Sequence, residues 1–171
     1  MADVYAIFGT LIALGIAYPG MLVAWRLLFP DVVMRAQQRI TGSPWGSLGI
    51  GVVAATPVIG LSIIFLSAPG GLAKFLGLLI VVAGLGVASL GGSGLAARMG
   101  GQLNEISGGR FSIPGAHVRG AVALELAAIF PLIGWLIVLP LTTLACFGAA
   151  LRALISRRGT ANDVSAQAVE A

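Results

Sequence analysis

Charge is scarce in this chain. Only 9% of its 171 residues are Asp, Glu, Lys or Arg, where soluble domains run near a quarter. A water-soluble fold with so few polar side chains cannot cover its own surface. A lipid bilayer removes that requirement. The single cysteine, Cys146, excludes an intramolecular disulfide and lies in an apolar block, where it reads as a buried structural thiol. The single histidine, His117, has no Cys or acidic neighbour at ligand spacing, so it makes no metal site. One histidine and one membrane-embedded cysteine also leave nothing from which to assemble a Ser-His-Asp or Cys-His arrangement. Gly92-Ser93-Gly94 is followed by no Gly-Lys-Ser/Thr and is not a phosphate loop. Met1-Ala2-Asp3-Val4 lacks a basic n-region and reads as the start of a retained first helix. Neither an enzyme nor a cofactor site is expected.

What is present is hydrophobic: 58% of residues, with mean hydropathy +1.02. The first apolar block runs from about Val4 to Phe29, long enough for the ~30 Å hydrocarbon core. Pro19-Gly20 is expected to kink it, and Trp25 and Arg26 look like interfacial anchors. Pro30 to Ile40 places Val33, Ala36 and Ile40 on one helical face and Arg35 and Arg39 on the other. This predicts an amphipathic helix in the interface, its two arginines meeting lipid headgroups. The second block (about Trp45 to Ser67) and the third (about Leu72 to Leu95) are joined by Ala68-Pro69-Gly70-Gly71 and predict a transmembrane hairpin. Gly84, Ala88 and Gly92, with Gly77 two turns earlier, form a small-residue row suited to close helix packing. The polar stretch from Ala96 to Arg119 reads as an exposed loop.

The last block, Gly120 to Ile155, spans 36 residues, about 54 Å as one straight helix, so it must break, tilt or project. Ala54 to Ile64 aligns without gaps to Ala128 to Val138, with five of eleven positions identical, including a shared Pro-x-Ile-Gly. Pro57 and Gly60, and likewise Pro131 and Gly134, are therefore candidate helix breaks. If the repeat is real, each half is a hairpin and the last block is two crossings, split near Leu139-Pro140. Five crossings put nine arginines on one side and only Lys74 on the other, which favours N-terminus outside and C-terminus cytoplasmic. Each final arm would then have only ~17 residues, the lower limit for a span. A four-crossing form with a half re-entrant last block stays open. Residues 156–171 read as a disordered polar tail beyond a single transmembrane domain over 1–155.

Leu28-Phe29-Pro30 with Arg35, Pro44 and Ser47-Leu48, Pro69-Gly70, Arg119-Gly120 and Pro131-Leu132-Ile133-Gly134-Trp135 together resemble a bacterial polytopic membrane module. That module is found at the C-terminal ends of some bactofilin-like, polymer-forming cytoskeletal proteins. The resemblance implies anchoring or scaffolding and brings no catalytic residues; the β-helical bactofilin domain is lacking.

The expected fold is an all-α integral membrane protein of four or five transmembrane helices without a soluble domain. Its expected place is a bacterial cytoplasmic (inner) membrane. A pI near 10.2 points to anionic headgroups and not to nucleic acid, because the basic residues sit between apolar blocks. The leading function is a non-enzymatic scaffold or partner-binding subunit, associating with a protein partner or with itself through its helices. The alternative is small-solute or ion permeation at the Pro/Gly breaks, with Thr56, Ser62, Thr142 and Thr143 as lining. Glu125 is the one acid within an apolar block, about 9 Å of helix rise from Arg119. It reads as a shallow carboxylate that snorkels or pairs with an arginine; the competing reading is a proton or cation site.

Overall fold

A computed structural model describes the backbone of residues 2–130 and 132–169, and side chains at 5, 9–10, 15–130 and 132–155. The helices are α1 (Ala2–Leu28), α2 (Pro30–Gly42), α3 (Pro44–Ser67), α4 (Gly71–Ile106), α5 (Ile113–Ile129) and α6 (Leu139–Val169), with a π-helical segment, Gly134–Val138, before α6. No strand occurs among the described residues. Three segments are long and apolar enough to cross a bilayer: Pro44–Ser67, Gly71–Ile106 and Gly134–Ile155. A fourth exists if Gly15–Leu28 and Pro30–Gly42, bent by 110°, count as one broken span. The protein is thus all-helical, with three to four apolar helices compatible with a membrane location. The 17 residues of α5 rise only about 26 Å and fall short of the ~30 Å core.

Helix boundaries follow local chemistry. Pro30 and Pro44 open α2 and α3 in the first turn, where the missing N–H is no loss. At the start of α5 the Ser112 hydroxyl accepts from the Gly115 N–H at 3.3 Å. α4 ends where Gly108 and Gly109 take φ of +72° and +75°, a left-handed turn that glycine adopts without strain. Asn104 then ties the loop by accepting from the Phe111 N–H at 2.9 Å.

Several expectations change. Ala96 to Arg119 is not an exposed loop: only residues 107–112 lie between α4 and α5. The cause is an antiparallel crossing in which two small residues four apart on each helix face each other. A Cβ on Gly100 would run into Ala116 O, and one on Gly120 into Ala96 O and Gly100 N. The same arrangement recurs between α3 and α6. There a Cβ on Gly51 would strike Leu144 O, and one on Gly148 would strike Ser47 O and Gly51 N. Close approach of this kind replaces the hydrophobic effect as a source of helix association in lipid.

The apolar face of α2 is not left to the interface. Val32, Ala36 and Ile40 are buried against Cys146, Ala149 and Ala153 of α6 and Leu95 of α4. The wedge is completed by Gly94, whose missing side chain makes room for Ala36 and Gln37. The repeat does not yield two equivalent hairpins. α3 and α4 pack together, but α5 packs on α4 and α1, while α6 packs on α3, α4 and α2. The break in the last block comes between Ile129 and Gly134 and not at Leu139-Pro140. Pro140 instead lies within continuous helical backbone, directly after the π-helical segment Gly134–Val138. The backbone of α6 continues to Val169; the side chains of 156–169, where the polar tail is expected, lie outside the described residues.

Candidate functional site

The helices position two features: a buried polar knot and an apolar cavity. In the knot, α1, α4 and α5 meet at His117, which is 1% exposed. Its Nε2 lies 3.3 Å from Leu22 O and 3.5 Å from Ser93 Oγ, and Ser93 Oγ donates to Leu22 O at 2.7 Å. A neutral imidazole carrying its proton on Nε2 donates to Leu22 O. Nδ1 is then a buried acceptor without a donor, at a cost of about 1–3 kcal/mol. His117 was expected in a loop. Its burial follows from the Gly100–Gly120 crossing, which draws the first turn of α5 onto α4.

One turn away, Trp25 Nε1 donates to Ser89 Oγ at 2.8 Å. Trp25 is therefore a tie between α1 and α4, where the sequence suggested an interfacial anchor. It also borders the cavity, about 560 Å³, between α1, α4 and α6. Tyr18, Ser89, Gly92, Thr142 and Cys146 contribute to its wall. A second cavity of about 300 Å³ lies between α3, α4 and α6, walled by residues such as Ala55, Val58, Gly84 and Phe147.

The expected packing row sits on three interfaces. Gly77 meets Leu66 and Phe65 of α3, and Gly84 faces Val58 of α3. Ala88 joins Ala55 and Phe147 in a buried cluster. Gly92 lies beside Leu22 and the Tyr18 hydroxyl. The closest crossings involve glycines outside that row: Gly51, Gly91, Gly100, Gly120 and Gly148. Gly51, Gly100 and Gly120 have a small residue four positions away, Ser47, Ala96 and Ala116, a spacing legible in the sequence; Gly148, four from Leu144, and Gly91, four from Val87 and Leu95, carry no such signal.

Pro57 and Gly60 do not break α3, which runs unbroken over Pro44–Ser67. Ser62 donates to Val58 O and Thr56 to Val52 O within the helix. Gly134 does stand at a break: a Cβ there would lie 2.6 Å from both Ala127 O and Ala128 O. Pro131 lies outside the described residues. Glu125 does not pair with Arg119. Its Oε1 points at α1, 3.5 Å from the position of a Gly15 Cβ. Arg119 instead lies over the Phe111 ring at 3.8 Å and donates to Gly115 O. Arg39 is exposed, whereas Arg35 is half-buried, with Nε and Nη2 shut off from solvent and without an acceptor. Two of the three Arg35 guanidinium nitrogens are thus turned into the protein. Arg98 donates to Ile40 O at 3.2 Å and caps α2.

Comparison with family models, curated proteins and solved structures yields no match. The functional reading therefore rests on this geometry.

Proposed function

We propose that the chain is a non-enzymatic integral membrane protein, a scaffold or partner-binding subunit of a bacterial cytoplasmic membrane. The observation that carries this reading is the pair of reciprocal glycine crossings, Gly51 with Gly148 and Gly100 with Gly120. Backbones in direct contact make a rigid platform. Large apolar side chains such as Ile63, Leu79 and Leu126 are left on its outside, 60%, 55% and 62% exposed. In the cavity wall, the Ser89 and Thr142 hydroxyls donate to nearby backbone carbonyls, which leaves the Tyr18 and Thr143 hydroxyls as the few polar points a solute could use. The resemblance to the bactofilin-associated module, the N-out and C-in orientation, and a fifth crossing by α5 belong to the same proposal.

The permeation reading draws support from the discontinuity between Ile129 and Gly134, since irregular backbone at membrane depth is used in transporters. One pair of experiments separates the two. Photo-crosslinking from position 63 or 79 in native membranes is expected to yield one discrete protein adduct. Adducts to lipid alone, together with a pH-dependent ion flux in vesicles that vanishes in Glu125→Gln, would sink the scaffold and promote the transporter.

A further inference from the structure

α4 and α6 touch backbone to backbone at one point, where a Cβ on Gly91 would run into Cys146 O. On the side of that contact toward Arg98, the slot is filled by the apolar face of α2: Val32, Ala36 and Ile40 against Cys146, Ala149 and Ala153. On the side toward Lys74, the described residues leave it open, and the slot continues as the cavity of about 560 Å³ bordered by Tyr18 and Trp25 of α1 and Leu124 of α5. We propose that this half of the crevice binds one hydrocarbon chain of a bilayer lipid, entering between α1 and α4 past Val82 and Leu85.

Four observations carry the assignment. The volume falls in the ~300–1,000 Å³ range of small-ligand sites. Most of the polar groups in the wall are engaged: the Trp25 indole donates to Ser89, Ser89 to Gly86 O, and Thr142 to Val138 O, leaving the Tyr18 and Thr143 hydroxyls as the remaining polar points. A polar ligand would find few free partners there, while a hydrocarbon meets a wall that is apolar over most of its area. Val82 and Leu85 line the cavity and are 57% and 58% exposed, so its mouth opens on the outer, apolar face of α4 and not on a loop. Finally, the crevice is continuous with the α2 interface, where the chain itself fills the same α4–α6 slot with aliphatic side chains. An apolar crevice left unfilled would forfeit dispersion contacts along its wall, and a bilayer supplies chains that fit it.

The experiment uses Trp25 as the reporter. The other two tryptophans, Trp45 and Trp135, are 82% and 71% exposed, so Trp45→Phe with Trp135→Phe leaves a single indole beside the cavity. The protein is reconstituted in phosphatidylcholine with ordinary acyl chains and in phosphatidylcholine brominated on the chains. Trp25 fluorescence is expected to fall severalfold in the brominated bilayer. Gly86 borders the cavity, and a Cβ on it would meet nothing within 4 Å. Gly86→Ala and then Gly86→Leu should therefore fill the site stepwise and restore the emission stepwise, with helix content unchanged by circular dichroism. Should Gly86→Leu fail to fold, the partial recovery in Gly86→Ala still decides. Quenching that neither substitution diminishes would place the bromines outside the crevice and overturn the proposal. So would an unquenched parent, the result expected if a second copy of the chain or nothing at all occupies it.

Discussion

Residues 54–64 and 128–138 share a sequence pattern and adopt different structures. Gly60 lies inside a continuous helix with open space around it, whereas Gly134 opens a π-helical segment with two carbonyls against the place where a side chain would be. The difference comes from the surfaces each segment must reach. The chain before Gly60 is already docked on α6 through Gly51, and continuing straight brings Val58 and Leu66 to α4. The chain before Gly134 is docked on α4 through Gly120, and the chain after it must pass to another part of α4, where it also lies along α3 and α2. A proline and a glycine permit a break; the partners on either side of the segment decide whether it happens.

The docking of α5 is the first thing to disturb. Gly120→Leu drives a side chain into Ala96 O and Gly100 N, backbone atoms that cannot step aside. Overpacking of a core costs about 1–3 kcal/mol and occasionally more, and the upper end is expected here, read as a lower thermal midpoint in detergent. Gly101→Leu, one position along α4 with nothing within 4 Å, should leave that midpoint in place. If the two variants behave alike, the crossing does not hold α5.

The paired glycines themselves give the next effect. Gly134→Leu should destabilise by about 2 kcal/mol, since its Cβ would sit 2.6 Å from Ala127 O and Ala128 O. Gly60→Leu should shift stability by no more than about 0.5 kcal/mol. Equal losses in a denaturant titration would mean that the two segments are more alike than their backbones indicate.

A smaller change separates the breaks chemically. In α3, Pro57 leaves Val53 O without its helical donor, and the Thr56 hydroxyl adds a second donor to the neighbouring Val52 O at 2.8 Å. Thr56→Val is expected to cost about 0.6 kcal/mol, typical of such bonds within membranes, and to raise hydrogen exchange at the amides near Pro57. Unchanged exchange would show that the hydroxyl has no part in keeping α3 whole. Smallest of all, Leu132 takes a left-handed φ of +67° and is 74% exposed. That conformation costs a non-glycine residue about 1–2 kcal/mol, and glycine gives part of it back in chain entropy. Leu132→Gly should therefore stabilise by about 0.5 kcal/mol, and a loss of stability would argue that contacts of the Leu132 side chain offset its backbone strain.

Some of the candidate site was legible and some was not, for reasons that single residues make plain. Small residues four apart marked Gly84, Ala88 and Gly92 as packing positions, and each lies at a helix interface. The same signal was present at Ala96 and Gly100 and again at Ala116 and Gly120. There Arg98, Glu105, Arg110 and Arg119 diluted the hydropathy and made two helices look like a loop. Arg35 and Arg39 looked equivalent on a helical wheel, yet one is half-buried and the other exposed, because a wheel does not show which parts of α2 are covered once α4 and α6 pack on it. The partners of His117, Leu22 O and Ser93, lie 95 and 24 residues away, and spacing arguments do not reach so far.

By itself the sequence determined that the chain is helical and apolar enough for a membrane location. Hydropathy and the length of apolar runs are properties of the chain alone, and with 9% charge they call for helices that satisfy their own backbone in lipid. It also determined that α2 would have one apolar face. Only the tertiary structure decided that this face meets Cys146 and Ala149 and not the bilayer, that α5 and α6 part company after Ile129, and that a cavity remains beside Trp25. The reason is that the chain carries 25 glycines, any of which permits close approach. Which of them meets another backbone is set by how rigid helices cross, and that depends on all of them at once.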